Sequence, residues 1–466
     1  MSTESFKTPF RERQNPDQTP LAEEIKAVLG IFELTRRLRA KVPENVDDVD
    51  KPRENISESA GDQTAMTAYL MHYFLPLVER EGISLDYEKT LDMVLAHNIG
   101  DIGALPSRPG VQLTLDERHE EIASSAKVFR KLPRRNGFNR TLFNAYAEYL
   151  GQESREARFV RALNGLETML YVLSRPPHLR EGLVGGKGYA IEDYRERIEP
   201  FCREFPALYK FYTRAERIFH GKAYFAPSRK YQNQIMRPEV AKSLFLSQKS
   251  KVRGASKIDT DDENERLLRL QRLKRRLRFG QPAKPQEMHN DTVPEHISSL
   301  LLLSRYFVTA VKNDPRQARK EVLSQQEVTE MILAHDMPEI IRGDVIAPLK
   351  TEEDALAEWD VAIDIAGDYA PRAGGFDERF WKNLEKYEYD REKPPFVCDA
   401  WLTKGLDAYE AQLYIFDRET RGKLSRMQIL TREEVRGKIG KVLEQFPVLK
   451  EHFDALDGKF REEGLP

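Results

Sequence analysis

The stretch Met331-Ile332-Leu333-Ala334-His335-Asp336-Met337-Pro338-Glu339 sets four apolar residues directly before a histidine and an aspartate. Such a run predicts a buried helix that delivers polar chemistry at one end. In a helix, positions three and four apart share a face. Glu339 is four residues from His335 and three from Asp336, so the three side chains can converge. His296 and Asp407 would come from two other helices, Asp407 inside the apolar run Leu402 to Leu413. Burying two imidazoles and two carboxylates without partners costs several kcal/mol. One metal ion held by His296, His335, Asp336 and Asp407 satisfies all four at once. A nitrogen and oxygen set without thiolate suits Mn²⁺, Co²⁺, Fe²⁺, Zn²⁺ or Mg²⁺. Metal binding lowers the pKa of water from about 15.7 toward 7, and the ionised water can attack phosphorus. Glu339, outside the ligand set, is placed to orient that water or move its proton.

The same pattern occurs earlier in the chain. Ala96-His97-Asn98-Ile99-Gly100-Asp101 answers Ala334 to Glu339, and Leu163-Asn164 answers Leu406-Asp407. Glu58-Ser59 lines up with Glu295-His296, Leu34 with Leu273, and Phe205-Pro206-Ala207-Leu208 with Phe446-Pro447-Val448-Leu449. A register held this far predicts duplication of a domain of about 200 residues, a normal size for a single core. In the first copy Ser59, Asn98 and Asn164 stand at ligand positions, leaving His97. Neutral amides are weak ligands for a dication. The expected layout is a degenerate domain over 1–222, a charged linker over 223–262, and a metal-binding domain over 263–466. The linker contains SQKSKVRGASK (247–257), which reads as a solvated segment, because no aromatic is interleaved for base stacking.

Composition bounds the rest. The 466 residues are 32% charged and 40% hydrophobic with net charge -2, which gives no global drive toward nucleic acid or an anionic membrane. Cys202 and Cys398 form no CxxC pair, so a disulfide framework is not expected and a reducing cytoplasm is the simplest compartment. No run approaches the roughly 20 apolar residues of a membrane span, and the first 20 residues lack the apolar core of a secretory signal. Apolar stripes over Glu23 to Lys41 and Asn264 to Phe279 have helical spacing, and no strand-like alternation stands out. The fold class is therefore all-α, as two tandem bundles of six or seven helices. The histidines at 72, 119, 178, 220, 289 and 452 fit no ligand pattern and read as surface or packing residues.

The order His296, His335-Asp336, Asp407 resembles the HD-domain phosphohydrolase superfamily. The string HDMPEIIRGDVIAPLK (335–350), with Thr292-Val293-Pro294-Glu295-His296 before it, is similar to the branch that includes bacterial 5′-deoxynucleotidases. The resemblance implies an all-helical fold, a divalent metal cofactor and phosphate removal from nucleoside monophosphates or similar small phosphomonoesters. It implies metal ligation by His296, His335, Asp336 and Asp407, and a catalytic carboxylate at Glu339. Asp344 would contact the sugar or help order the site, and Arg278 and Lys350 would contact phosphate. Ile340 stands where the stringent-response branch tends to show a second acid. Relatives commonly pair as homodimers, so two scaffolds with one chemistry suggest an internal pseudo-dimer. The competing reading is a regulatory protein that senses a nucleotide without turnover.

Overall fold

The computed structural model describes residues 59–99, 115–174, 191–220, 292–318, 322–336, 373–388, 398–419 and 432–464. The expected helices at Glu23 to Lys41 and Asn264 to Phe279, and the linker at 223–262, lie outside these residues. So do Arg278, Glu339, Asp344 and Lys350.

The described residues are mostly helical, with no strand among them. The first half contains α1 (Ala60–Arg80), α2 (Tyr87–Ala96), α3 (Leu115–Arg130), α4 (Phe138–Gly151), α5 (Arg155–Ser174), α6 (Ile191–Cys202) and α7 (Pro206–His220). The second contains α8 (Val293–Asn313), α9 (Gln325–His335), α10 (Phe376–Glu388), α11 (Cys398–Glu419), α12 (Arg432–Gln445) and α13 (Pro447–Glu462). None of these helices is long and apolar enough to cross a membrane.

Helices α1 and α8 are central, and both are buried on nearly every side along their first four turns. A helix apolar all round must be covered all round. Helix α1 packs on α2, α5 and α7; α8 packs on α9, α11 and α13; and α1 and α8 pack on each other. Each central helix starts with a capping box, Ser59 with Asp62 and Thr292 with Glu295, which satisfies two end donors reciprocally. Thr292 Oγ1 donates across the crossing to Asp62 Oδ1. A Cβ on Gly61 would meet Ser298 Oγ at 2.9 Å, so the axes approach as closely as they do because position 61 has no side chain.

Contacts between the halves come in pairs. Arg305 on α8 grips Asp92 on α2 with bonds of 2.6 and 3.0 Å. In the reverse sense, His72 on α1 lies 3.5 Å from Glu330 on α9. Phe138 meets Tyr306 with ring centres 5.5 Å apart at 87°, and Phe376 meets Tyr73 at 5.9 Å and 70°. Both phenylalanines follow a 3-10 turn, at Arg135–Gly137 and Ala373–Gly375, that holds a left-handed residue (Asn136, φ 52°; Gly374, φ 67°). Asn136 Nδ2 donates to Thr309 O at 3.3 Å, while Gly374 abuts Leu77. The two members of each pair differ by 233 residues on α1 and α8 and by 238 elsewhere (72 and 305, 92 and 330; 73 and 306, 138 and 376).

Both cysteines are buried and unbridged. His452 is a packing residue, as expected: its ring lies between Tyr306, Phe307 and Tyr409, and burial pushes its pKa down. His72 is also buried, but it sits at the contact between the halves.

Candidate metal centre

Three helices of the second half each bring a donor to one place. His296 lies in the first turns of α8 and is fully buried. Its Nδ1 is 2.7 Å from Glu410 Oε2 on α11, itself fully buried. With Nδ1–H donating to that carboxylate, the Nε2 lone pair faces Asp336 Oδ2 at 3.3 Å and Asp407 Oδ1 at 3.4 Å. His335 ends α9. Its Nδ1–H donates to Ile332 O at 2.8 Å, a bond that satisfies a carbonyl of the last turn and fixes the tautomer. His335 Nε2 then faces Asp336 Oδ1 at 3.0 Å.

The helix stops where the sequence reading continued it. Helix α9 ends at His335, and Asp336 is its C-cap with φ -93° and ψ 0°. A single helical face running from His335 to Glu339 is therefore corrected at its start. Pro338 cannot donate to the ladder and disfavours helical backbone at 337. From this cap position Asp336 lies within 3.3 Å of both imidazoles.

The cluster fits a divalent ion. Ligand atoms of His296, His335 and Asp407 all lie within 4.8 Å of one another. Ligand arms of about 2.1 Å at octahedral or tetrahedral angles span about 3.0–3.4 Å between donors. The contacts of 3.0, 3.3 and 3.4 Å fall in that interval. With each Nδ1–H given to another acceptor, each Nε2 meets carboxylate oxygen, an arrangement that a shared cation would satisfy. A proton on His335 is disfavoured, because burial drives its pKa down. Burial alone would raise Asp407, but the charge of Lys404 beside it helps hold it well below the usual carboxylate range.

Three further residues complete the surroundings, and sequence reading missed all three in this role. Glu410 orients His296. Tyr387 on α10 donates its hydroxyl to Asp407 Oδ2 at 3.2 Å and lies edge-on to His335 with ring centres 5.2 Å apart. Lys404 Nζ donates to the Tyr387 hydroxyl oxygen at 2.9 Å. Glu410 lay in plain view, one turn after Asp407, but an acid at that spacing is indistinguishable from a solvated one until its burial is seen.

The first half has matching positions without the charges. His97 is the C-cap of α2, and its Nδ1–H donates to Val94 O at 2.7 Å, as that of His335 does to Ile332 O. Its ring lies 5.7 Å from that of Tyr149. Asn164 Nδ2 donates to Tyr149 Oη at 2.8 Å, and Arg161 Nη1 reaches the same oxygen at 3.2 Å. Ser59 does not take the place of His296. It is the N-cap of α1, so it matches Thr292; four residues on, Gln63 occupies the histidine's position and donates through Nε2 to Asn164 Oδ1. Asn98 Nδ2 donates to Ala60 O at 3.2 Å and Thr64 Oγ1 at 3.1 Å. Amides thus bond to one another and to backbone where the second half gathers carboxylates and imidazoles.

Residues 270–447 match the family model of the HD domain, a span that contains all four donors. Comparison with curated proteins and with solved structures gives no match.

Proposed function

We propose that the second half is a metal-dependent phosphohydrolase that removes phosphate from a nucleoside monophosphate or a similar small phosphomonoester. One observation carries this reading: ligand atoms of His296, His335 and Asp407 lie within 4.8 Å of one another, with Asp336 Oδ1 3.0 Å from His335 Nε2 and Oδ2 3.3 Å from His296 Nε2. The HD-domain match supports it, since that family is generally one of metal-dependent hydrolases. A divalent ion supplies Lewis acidity and makes a water acidic enough to attack phosphorus. Glu410 holds the His296 imidazole in the tautomer that offers Nε2, and the Ile332 carbonyl does the same for His335. His296 and Glu410, both fully buried, form a floor closed to bulk water. Glu339 orients the attacking water and takes its proton, Asp344 orders the sugar, and Arg278 and Lys350 hold phosphate. These four roles rest on the sequence resemblance, Arg278 through its place before Phe279 at the end of an expected helix and the other three through the 335–350 motif.

The first half takes the place of a second subunit, making the chain an internal pseudo-dimer over domains 1–222 and 263–466. The reciprocal contacts support this: Arg305 with Asp92 answers His72 with Glu330, and Phe138 with Tyr306 answers Phe376 with Tyr73. Such reciprocity is what a two-fold interface requires. The test is phosphate release from a panel of nucleoside monophosphates with Mn²⁺ or Co²⁺ added to the full chain. Glu339→Gln should keep metal and lower turnover about 10²–10⁴-fold. Absence of release across the panel, with metal bound, would leave a nucleotide sensor as the reading.

A further inference from the structure

The donor cluster is shielded unequally. The side chains of His296 and Glu410 are 0% exposed, those of His335 and Asp336 2% and 6%, and that of Asp407 18%. Lys404, one turn before Asp407 on α11, is 36% exposed, with Nζ 3.6 Å from Asp407 Oδ2. Among the described residues, the cluster therefore opens to solvent beside an ammonium group. That ammonium is held in place: it donates to Tyr387 and lies 4.8 Å from the ring centre. Tyr387 is its one hydrogen-bond partner among the described residues, and an ammonium group carries three N–H donors.

A cation this close to a ligating carboxylate weakens a site for a dication, because the two positive charges repel. Balancing Asp407 does not explain it. In the first half the carboxylate is replaced by Asn164, yet Arg161 stands in the same place on the matching tyrosine, Tyr149. The base is present with and without the acid.

We propose that Lys404, steered by Tyr387, binds a non-bridging phosphoryl oxygen of the substrate at the rim of the metal centre. A phosphomonoester dianion can then place one oxygen toward the four donors and another on Lys404. Both contacts favour an anionic phosphoryl group over a neutral ester. This inference rests on the phosphohydrolase reading above.

The experiment titrates the full-length, Mn²⁺-loaded chain with inorganic phosphate by calorimetry and measures bound manganese by mass spectrometry. Lys404→Met should weaken phosphate binding at least ~10-fold, the usual loss for a hydrogen bond to a charged group, with manganese retained. Lys404→Arg should recover part of it, and Tyr387→Phe should give an intermediate loss. Lys404→Gln serves if the methionine variant does not fold. Unchanged phosphate affinity with manganese retained would overturn the role of Lys404 and leave the phosphohydrolase reading standing. Loss of manganese in Lys404→Met would make the lysine a brace for Asp407, which also overturns it. A wild-type chain that binds manganese but no phosphate, and releases none from nucleotides, would sink both.

Discussion

Single side chains decide whether the cluster can hold an ion. Glu410→Gln keeps the shape of the buried partner of His296 but removes its charge. Metal affinity should fall about 10–100-fold with helix content unchanged, as for other loss of a partner behind a ligand. Competition titration against a zinc- or manganese-sensitive dye reads this directly; unchanged affinity would make Glu410 a packing residue. A second residue gives a pH signature away from the metal. Asp399 accepts the Ser324 N–H at 2.7 Å, and burial, with Glu327 nearby and Lys386 opposing, pushes its carboxyl from 3.8 up to about 6. The folded chain therefore holds this proton more tightly than the unfolded one. The stabilisation is complete below the unfolded value and is lost as pH rises through about 6. Asp399→Asn keeps an acceptor and removes the charge, so it should be more stable than wild type at pH 7.5 by about 1–3 kcal/mol. The two should converge near pH 4. Parallel melting curves across that range would refute the assignment.

These residues also show what sequence could reveal. His296, His335 and Asp407, which the structure brings together, stand out in the sequence because adjacent apolar residues make polar side chains anomalous. Their counterpart Gln63 does not, because the repeat is read at a near-constant offset across helices whose connections differ in length. The capping boxes carried the right register, Ser59 with Thr292, in sequence alone. The end of α9 at His335 is missed for another reason: helical spacing carries the reading past Asp336, two residues before a proline in the sequence.

At the scale of elements, the α1–α8 crossing and its flanking pairs join the halves. Burial pushes the Asp92 carboxyl up even with Arg305 beside it. Arg305→Met leaves that carboxylate buried without its cation and should cost about 3–5 kcal/mol in denaturant unfolding. Adding Asp92→Leu should restore most of the loss, since an apolar pair of similar volume needs no desolvation. A single variant within about 0.5 kcal/mol of wild type would show that the pair is solvated. Helix packing inside the second half is equally tight. A Cβ on Gly405 would meet Leu449 Cδ2 at 2.6 Å and Val442 Cγ1 at 2.8 Å, where α11 rests on α12 and α13. The all-helical class followed from periodicity, but which helices would be central did not. Helix α1 is buried all round because α8 covers it, and no local pattern names a partner 233 residues away.

At the scale of the whole molecule, neither half has a finished surface. Residues 263–466 alone would expose the face of α8 that now lies on α1, including the edge of Tyr306 against Phe138. That fragment should self-associate or aggregate and lose activity, by light scattering and phosphate release. An interface of obligate type buries on the order of 2,000 Å² or more. A monomeric fragment with full activity would show the first half to be an independent module.

The amide cluster of the first half has a bearing on metal supply. Gln63, Asn164 and Tyr149 tie α1, α5 and α4 together with neutral hydrogen bonds that no chelator can remove. A symmetric pair of metal-dependent subunits would loosen on both sides in a cell starved of the ion. Here one side is permanently laced, and it keeps hold of α8, the helix that carries His296. On the metal-binding reading, the first half would stand assembled before any ion binds. Hydrogen exchange after chelation should then quicken around α9 and α11 while α2 and α5 keep their protection.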